Sequence, residues 1–236
     1  MTDAPGPWSD QPPPVQERPL SQFELWKLAW PNVGVTIAIL LVAVWQIGRL
    51  LSGDGNIGID WGGLSAAALA QGRWWTPFTS MFMHAGIAHL IFNLIALAQL
   101  GPIIALRFGR DGRALATYVG FYLLCGLLGD AVYLAIHPTS AVPMIGASGA
   151  IFGLWGASAR LGPGGSLVPI LSRQVWKQTQ SAIVSNLVIM AIVLLPALMS
   201  GQMSMGGIAW EAHLGGYLAG LLLIGLPVFR ARPIWR

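Results

Sequence analysis

Five side chains carry the reactive potential of this sequence: His84, His89, Asn93, Ser148 and His213. A serine hydroxyl becomes a nucleophile when a base takes its proton, and a neutral imidazole suits that task near pH 7. Ser148 and His213 would form such a pair, with the histidine accepting the proton and later passing it to a leaving amine. Attack on a carbonyl creates an oxyanion. The backbone N–H of Ser148 at a helix N-terminus and the side chains of His89 and Asn93 are the donors expected to meet it. No carboxylate is obviously placed to orient His213. Asp130 and Glu211 are candidates, but local helix bonding and interfacial solvation account for them more simply, so the expectation is a dyad. Phe152, one turn after Ser148, could pack against the imidazole instead. His84 reads as an interfacial ring and His137, before Pro138, as a loop residue. His84 and His89 are five apart and no Cys, Asp or Glu joins them with ligand spacing, so no metal and no cofactor is expected. Gly146-Ala147-Ser148-Gly149-Ala150 lacks the preceding strand and second glycine of a nucleophile elbow.

The elements that must position these groups are apolar. Of 236 residues, 55% are hydrophobic and 9% charged, and the mean hydropathy is +0.64. A soluble chain carries about 25% charged residues. One cysteine staples nothing, and thirteen scattered basic residues cannot track a phosphate backbone, so disulfide-rich and nucleic-acid-binding classes are excluded. The fold class expected is all-α, a polytopic membrane protein. Residues 1–30, with Pro5, Pro7, Pro12, Pro13, Pro14 and Pro19, read as a disordered cytoplasmic tail ending in a short amphipathic stretch from Phe23 to Trp30. This stretch lacks the apolar run of a signal peptide.

Six apolar segments follow within 31–232, each near the length that crosses about 30 Å of hydrocarbon. They run Val33 to Leu51, Ala85 to Leu106, Ala114 to Ile136, Met144 to Ala159, Ser181 to Ser200, and Ala212 to Phe229. With both termini cytoplasmic, eleven of the thirteen basic residues fall inside, leaving Arg49 and Arg73 outside. The first outer loop, Ser52 to His84, contains Trp61, Trp74 and Trp75 and is expected to be structured and partly embedded.

On this topology the second, fourth and sixth spans descend from outside and bring His89, Asn93, Ser148 and His213 into one leaflet. A span from Ser148 to Arg160 has about thirteen residues, or roughly 20 Å, which places the serine around 10 Å below the outer surface. The stretch Pro138 to Ala147 must then enter the bilayer as non-helical backbone, which is tolerated where it is buried in protein or lines water. An outward-open, water-filled cavity follows. Gly149, Gly153 and Gly156 on one helix, and Gly216 and Gly220 on another, let two backbones approach closely enough to bring His213 to Ser148.

Gly146-Ala147-Ser148-Gly149-Ala150-Ile151-Phe152-Gly153 resembles the serine motif of the rhomboid family of intramembrane serine proteases. Ala212-His213-Leu214-Gly215-Gly216 with Ala219-Gly220 resembles its histidine helix, and His84, His89 and Asn93 have the spacing of its second helix. The resemblance covers residues from about 33 to 230. It implies Ser148 as nucleophile, His213 as base, His89 and Asn93 at the oxyanion hole, and Gly146, Gly149, Phe152, Gly216 and His84 in supporting places. It further implies a six-helix bundle in a bacterial cell membrane that cleaves membrane-anchored proteins at or near a transmembrane helix. The departures are Trp75-Thr76 where many members have Trp-Arg, Ala105 where many have glutamate, and Phe152 where some have tyrosine. A proteolytically silent rhomboid-like protein that binds membrane clients is the alternative, although such proteins usually lose the serine or histidine. The oligomeric state is not legible.

Overall fold

The computed structural model describes residues 21–53, 58–199 and 209–232. Most of the Pro-rich tail (1–20), part of the first outer loop (54–57), the stretch from the end of the fifth expected span (200–208) and the C-terminal residues 233–236 lie outside the described residues. Among the described residues the regular structure is helical. In chain order it comprises α1 (Gln22–Leu28), α2 (Trp30–Leu51), α3 (Ile59–Gly62), α4 (Ala66–Ala70), α5 (Thr76–Thr79), α6 (Ile87–Phe108), α7 (Gly112–Ile136), α8 (Ser148–Ala159), α9 (Arg173–Met199) and α10 (Trp210–Leu223). Single 3-10 turns sit at Ser80–Phe82, Pro163–Gly165 and Pro227–Phe229.

Local chemistry explains the boundaries. Ser21 and Glu24 form a reciprocal capping box at α1, with the Ser21 N–H donating to Glu24 Oε2 (2.8 Å) and the Glu24 N–H to Ser21 Oγ (3.3 Å). The Asp111 carboxylate accepts from Ala114 N–H at 2.8 Å and starts α7. That bond and the nearby Arg232 guanidinium, 3.0 Å away, hold the Asp111 carboxyl below its ordinary range. The helix expected to begin at Met144 begins at Ser148, because Met144 pairs with Leu64 in an antiparallel bridge. The helix expected from Ser181 starts earlier, at Arg173, where Ser172 Oγ accepts from Val175 N–H. The last helix ends at Leu223, ahead of Gly225 and the Pro227–Phe229 turn.

Three helices, α2, α6 and α7, are long and apolar enough to cross a membrane by length and composition. Leu41, Val44, Phe92, Val184 and Leu187 are each more than half exposed, an outward apolar surface that water would not tolerate and lipid would. The helices interlock by small and polar residues. Tyr118 Oη donates to Asn32 Oδ1 at 2.6 Å, and Asn32 fills the space where a Cβ on Gly101 would lie, 1.9 Å from that same oxygen. One buried amide thereby joins α2, α6 and α7.

The centre of the bundle is α8, packed against α6, α7, α9 and α10. Its contact with α10 is backbone on backbone. A Cβ on Gly216 would lie 1.9 Å from the Gly149 carbonyl oxygen, one on Gly220 1.7 Å from that of Gly153, and one on Gly156 2.0 Å from that of Tyr217. No side chain fits at any of these levels.

The described part of the expected outer loop, residues 58–84, is folded. Trp75 Nε1 donates to the Trp61 carbonyl (3.0 Å), Thr79 Oγ1 to the Gly62 carbonyl (2.8 Å), and Arg73 Nη1 to the Asp60 carbonyl. Thr76 is fully buried and its hydroxyl caps the Arg73 carbonyl at 2.9 Å, so the loop is anchored by Arg73 and the tryptophans without a Trp-Arg pair. The loop also pairs with the stretch before Ser148: Leu64 exchanges two backbone bonds with Met144 (2.9 and 2.7 Å), Ala67 N–H donates to Ser140, and Gly146 N–H donates to Ser80 at 2.9 Å. At the opposite end, arginines satisfy carbonyls: Arg160 bonds Leu221 and Val168, and Arg107 bonds Gly165.

Gly220→Ala should lower stability by about 1–3 kcal/mol or more by forcing the two backbones apart. Gly120→Ala, inside α7 where a Cβ meets nothing within 4 Å, should not lower it. Thermal unfolding of the two variants in one detergent checks the pair, and equal melting temperatures would contradict the backbone contact.

Candidate active site

The first turn of α8 departs from the usual rule for helix starts. Ala147 occupies the N-cap and offers no side-chain acceptor, so the opening N–H groups, Ser148's among them, are not claimed by a cap. The chain reaches this point through Gly146 at φ 126°, a conformation that disfavours any side chain. Space demands glycine there as well. A Cβ on Gly146 would lie 2.8 Å from His89 Nε2 and 3.6 Å from Ser148 Oγ, so the His89 ring edge and the serine face each other across the missing methyl.

His213 stands in the first turn of α10, buried, with its Nε2 2.7 Å from Ser148 Oγ. The residues come from two helices held together by Gly149 and Gly216, so the hydrogen bond inherits its length from the backbone contact. The Phe152 ring lies flat on the imidazole, centroids 4.4 Å apart and planes within 2°. The other ring nitrogen, Nδ1, is 2.7 Å from Asn186 Oδ1 on α9. The sequence reading missed that contact.

His89 and Asn93 lie one turn apart on α6. Ala85 N–H donates to His89 Nδ1 at 3.3 Å, which leaves the ring hydrogen on Nε2, the edge facing Gly146 and Ser148. Asn93 is buried, and one hydrogen of its amide goes to the His89 carbonyl at 2.9 Å. The second amide hydrogen is the one with the chemistry of an oxyanion donor.

One expectation is corrected. His84 is a buried residue rather than an interfacial ring. It is 4% exposed, packs on His89 with centroids 5.1 Å apart, and is held by Gln46, whose Oε1 accepts its N–H (3.0 Å) and whose Nε2 donates to its carbonyl (3.2 Å). Burial, and secondly His89 beside it, push its imidazole down to about 4, so it is neutral at pH 7. His137 does lie in the turn after α7, as expected, and its Nε2 is 2.8 Å from Glu211 Oε1. Glu211 is thereby engaged away from His213, and Asp130 is buried on α7 with Oδ2 unpartnered among the described residues. Neither carboxylate orients the histidine. Among the described residues no three His, Cys, Asp or Glu side chains gather as a metal site.

The arrangement has the chemistry that acyl transfer would need: a hydroxyl and an imidazole in contact, a ring held on its face and far edge, and N–H donors nearby. Comparison with known proteins points the same way. The Rhomboid domain family matches residues 71–230. Rhomboid protease GluP of Bacillus subtilis is 31% identical over 172 residues, which is 72% of this chain and 30% of GluP. Putative rhomboid protease YdcA of the same organism is 28% identical over 155 residues, 66% of this chain and 68% of YdcA. RHOMBOID-like protein 4 of Arabidopsis thaliana is 28% identical over 163 residues, 69% of this chain and 36% of that protein. The chain thus spans about a third of the length of two of these three relatives. A family match over most of the chain, on helices whose glycines, serine and histidine stand together as described, makes this membrane protein a member of the rhomboid family.

Proposed function

We propose that the chain is an intramembrane serine endopeptidase that cleaves transmembrane or membrane-anchored proteins within or near their membrane helix, using Ser148 and His213. The observation that carries this reading is the 2.7 Å contact between Ser148 Oγ and His213 Nε2, joining residues 65 positions apart. Substrate backbone unwinds into the site and presents a carbonyl carbon to Ser148 Oγ. Oγ bonds to that carbon while its proton moves to His213 Nε2. The carbonyl oxygen gains the negative charge and is met by the Ser148 N–H, His89 Nε2–H and the second amide hydrogen of Asn93. The tetrahedral species collapses, the C–N bond breaks, and His213 returns its proton to the departing amine. Water then attacks the acyl-serine with His213 again as base, releasing the acid and restoring Ser148.

In this reading residues 31–232 form a six-helix membrane-embedded domain, with α8, α9 and α10 completing the set begun by α2, α6 and α7. Residues 1–30 form a cytoplasmic tail. The charge distribution supports cytoplasmic termini and a cavity opening to the outer side, and the likeness to bacterial rhomboid proteases supports residence in a bacterial cell membrane. A proteolytically silent client binder would have no use for a serine and histidine in contact.

In detergent, a fluorophosphonate probe should label the wild type and not Ser148→Ala; an unlabelled wild type, or a labelled alanine variant, defeats the proposal. His213→Ala should abolish cleavage of a model transmembrane substrate while keeping its melting temperature close to wild type. Asn93→Ala should lower kcat by about tenfold to a thousandfold, the range for one oxyanion donor among several. Total loss in that variant would show that Asn93 is more than one donor of three.

A further inference from the structure

We propose that Asn186 on α9 is a positioning residue for His213, fixing by a neutral amide the tautomer that lets the ring act as base. The inference rests on the reading of Ser148 and His213 as nucleophile and base, and goes beyond the expected dyad.

A neutral imidazole carries one hydrogen on two nitrogens. To accept the serine proton, Nε2 must present its lone pair, so the ring hydrogen must reside on Nδ1. That nitrogen is 2.7 Å from Asn186 Oδ1, an oxygen that can only accept. The opposite orientation of the amide would place its NH2 against the ring. It could satisfy the resting histidine in the other tautomer, but once the ring takes the serine proton both nitrogens carry hydrogen, and two donors would confront each other. Only the oxygen-inward amide remains bonded on both sides of the proton transfer.

The amide is aimed by its helix. Val175, Thr179, Ala182 and Asn186 are spaced by four, three and four residues, one stripe along α9. Val175 and Ala182 are buried, and Thr179 Oγ1 is 2.9 Å from the Tyr217 hydroxyl, one turn after His213 on α10. The two helices are thus pinned in register at Thr179–Tyr217, and Asn186 meets the ring two turns further along. Phe152, stacked on the imidazole, stops the ring from tilting away from the line joining Ser148 and Asn186. With Glu211 engaged by His137, the orienting group is uncharged. That avoids placing a lone carboxylate beside a neutral ring in a low-dielectric setting, where it would be costly.

The test compares Asn186→Leu, similar in size without an acceptor, with Asn186→Asp, which keeps one. Two readouts are taken in detergent micelles: the ring-nitrogen NMR signals of His213 in histidine-labelled protein, and kcat and KM on a model transmembrane substrate. The expected wild-type signal is the Nδ1–H tautomer. In Asn186→Leu this signal should give way to a mixture, and kcat should fall by about tenfold to a hundredfold with KM unchanged, less than loss of the base itself would cost. Asn186→Asp should restore the Nδ1–H signal and recover much of the lost kcat. An unchanged tautomer in Asn186→Leu overturns the proposal. So does a fall in kcat that matches a fall in melting temperature in both variants with no change in the ring signal. The NMR readout does not depend on activity, so an unlabelled wild type would count against the protease reading without deciding whether Asn186 sets the tautomer.

Discussion

The placing of Ser148 beside His213 depends on one contact that has no side chains in it. At Gly149 with Gly216, Gly153 with Gly220, and Gly156 with Tyr217, the backbones of α8 and α10 press together so closely that a methyl group would fall within 1.7–2.0 Å of a carbonyl oxygen. In a bilayer, apolar side chains gain nothing by leaving lipid for one another, so association rests on close packing and polar contacts. A glycine seam supplies the first of these and is also a ruler. With the helix axes drawn together at fixed levels, Ser148 at the start of one helix and His213 in the first turn of the other have little freedom to be anything but hydrogen-bonded neighbours.

The second requirement is that the chain leading into Ser148 leave no backbone unsatisfied. The segment 137–147 is not helical, and its carbonyl and N–H groups need partners. The folded outer loop provides them at Leu64, Ala67 and Ser80. The loop is thus part of the site's foundation: Ser80 receives the N–H of Gly146, and Gly146 sets the approach of His89. Gln46 extends the same logic to α2, since its amide holds both backbone groups of His84 and thereby the entry to α6.

How far all this could be read from the residues varies with the kind of signal. Ser148, His213, His89 and Asn93 were visible because polar groups are few in such a chain, and the glycine strips could be read from helical spacing. The start of α8 was assumed at Ser148 in the depth argument and missed by hydropathy, since Met144 and Ile145 are apolar yet belong to a stretch bridged to Leu64. Asn186 and Gln46 were overlooked for a simple reason. An amide inside an apolar run gives no hint of its partner, and each bonds across 27 or more residues to a position that spacing does not reveal. A rule that questions every polar residue within a span would have flagged both. Glu211 shows the converse: proximity in sequence to His213 made it a candidate for orienting the ring, and its contact with His137, 74 residues away, turns it elsewhere.

The seam has one more consequence, in how the protein responds to its lipid. α8 has twelve residues and extends about 18 Å, well short of the roughly 30 Å hydrocarbon thickness. When acyl chains lengthen or shorten, helices accommodate the mismatch by tilting. Tilt of α8 against α10 is closed, because neither can slide on the other without carbonyls colliding with α-carbons. A change of membrane thickness would therefore move the two as one body, with the seam holding Ser148 beside His213.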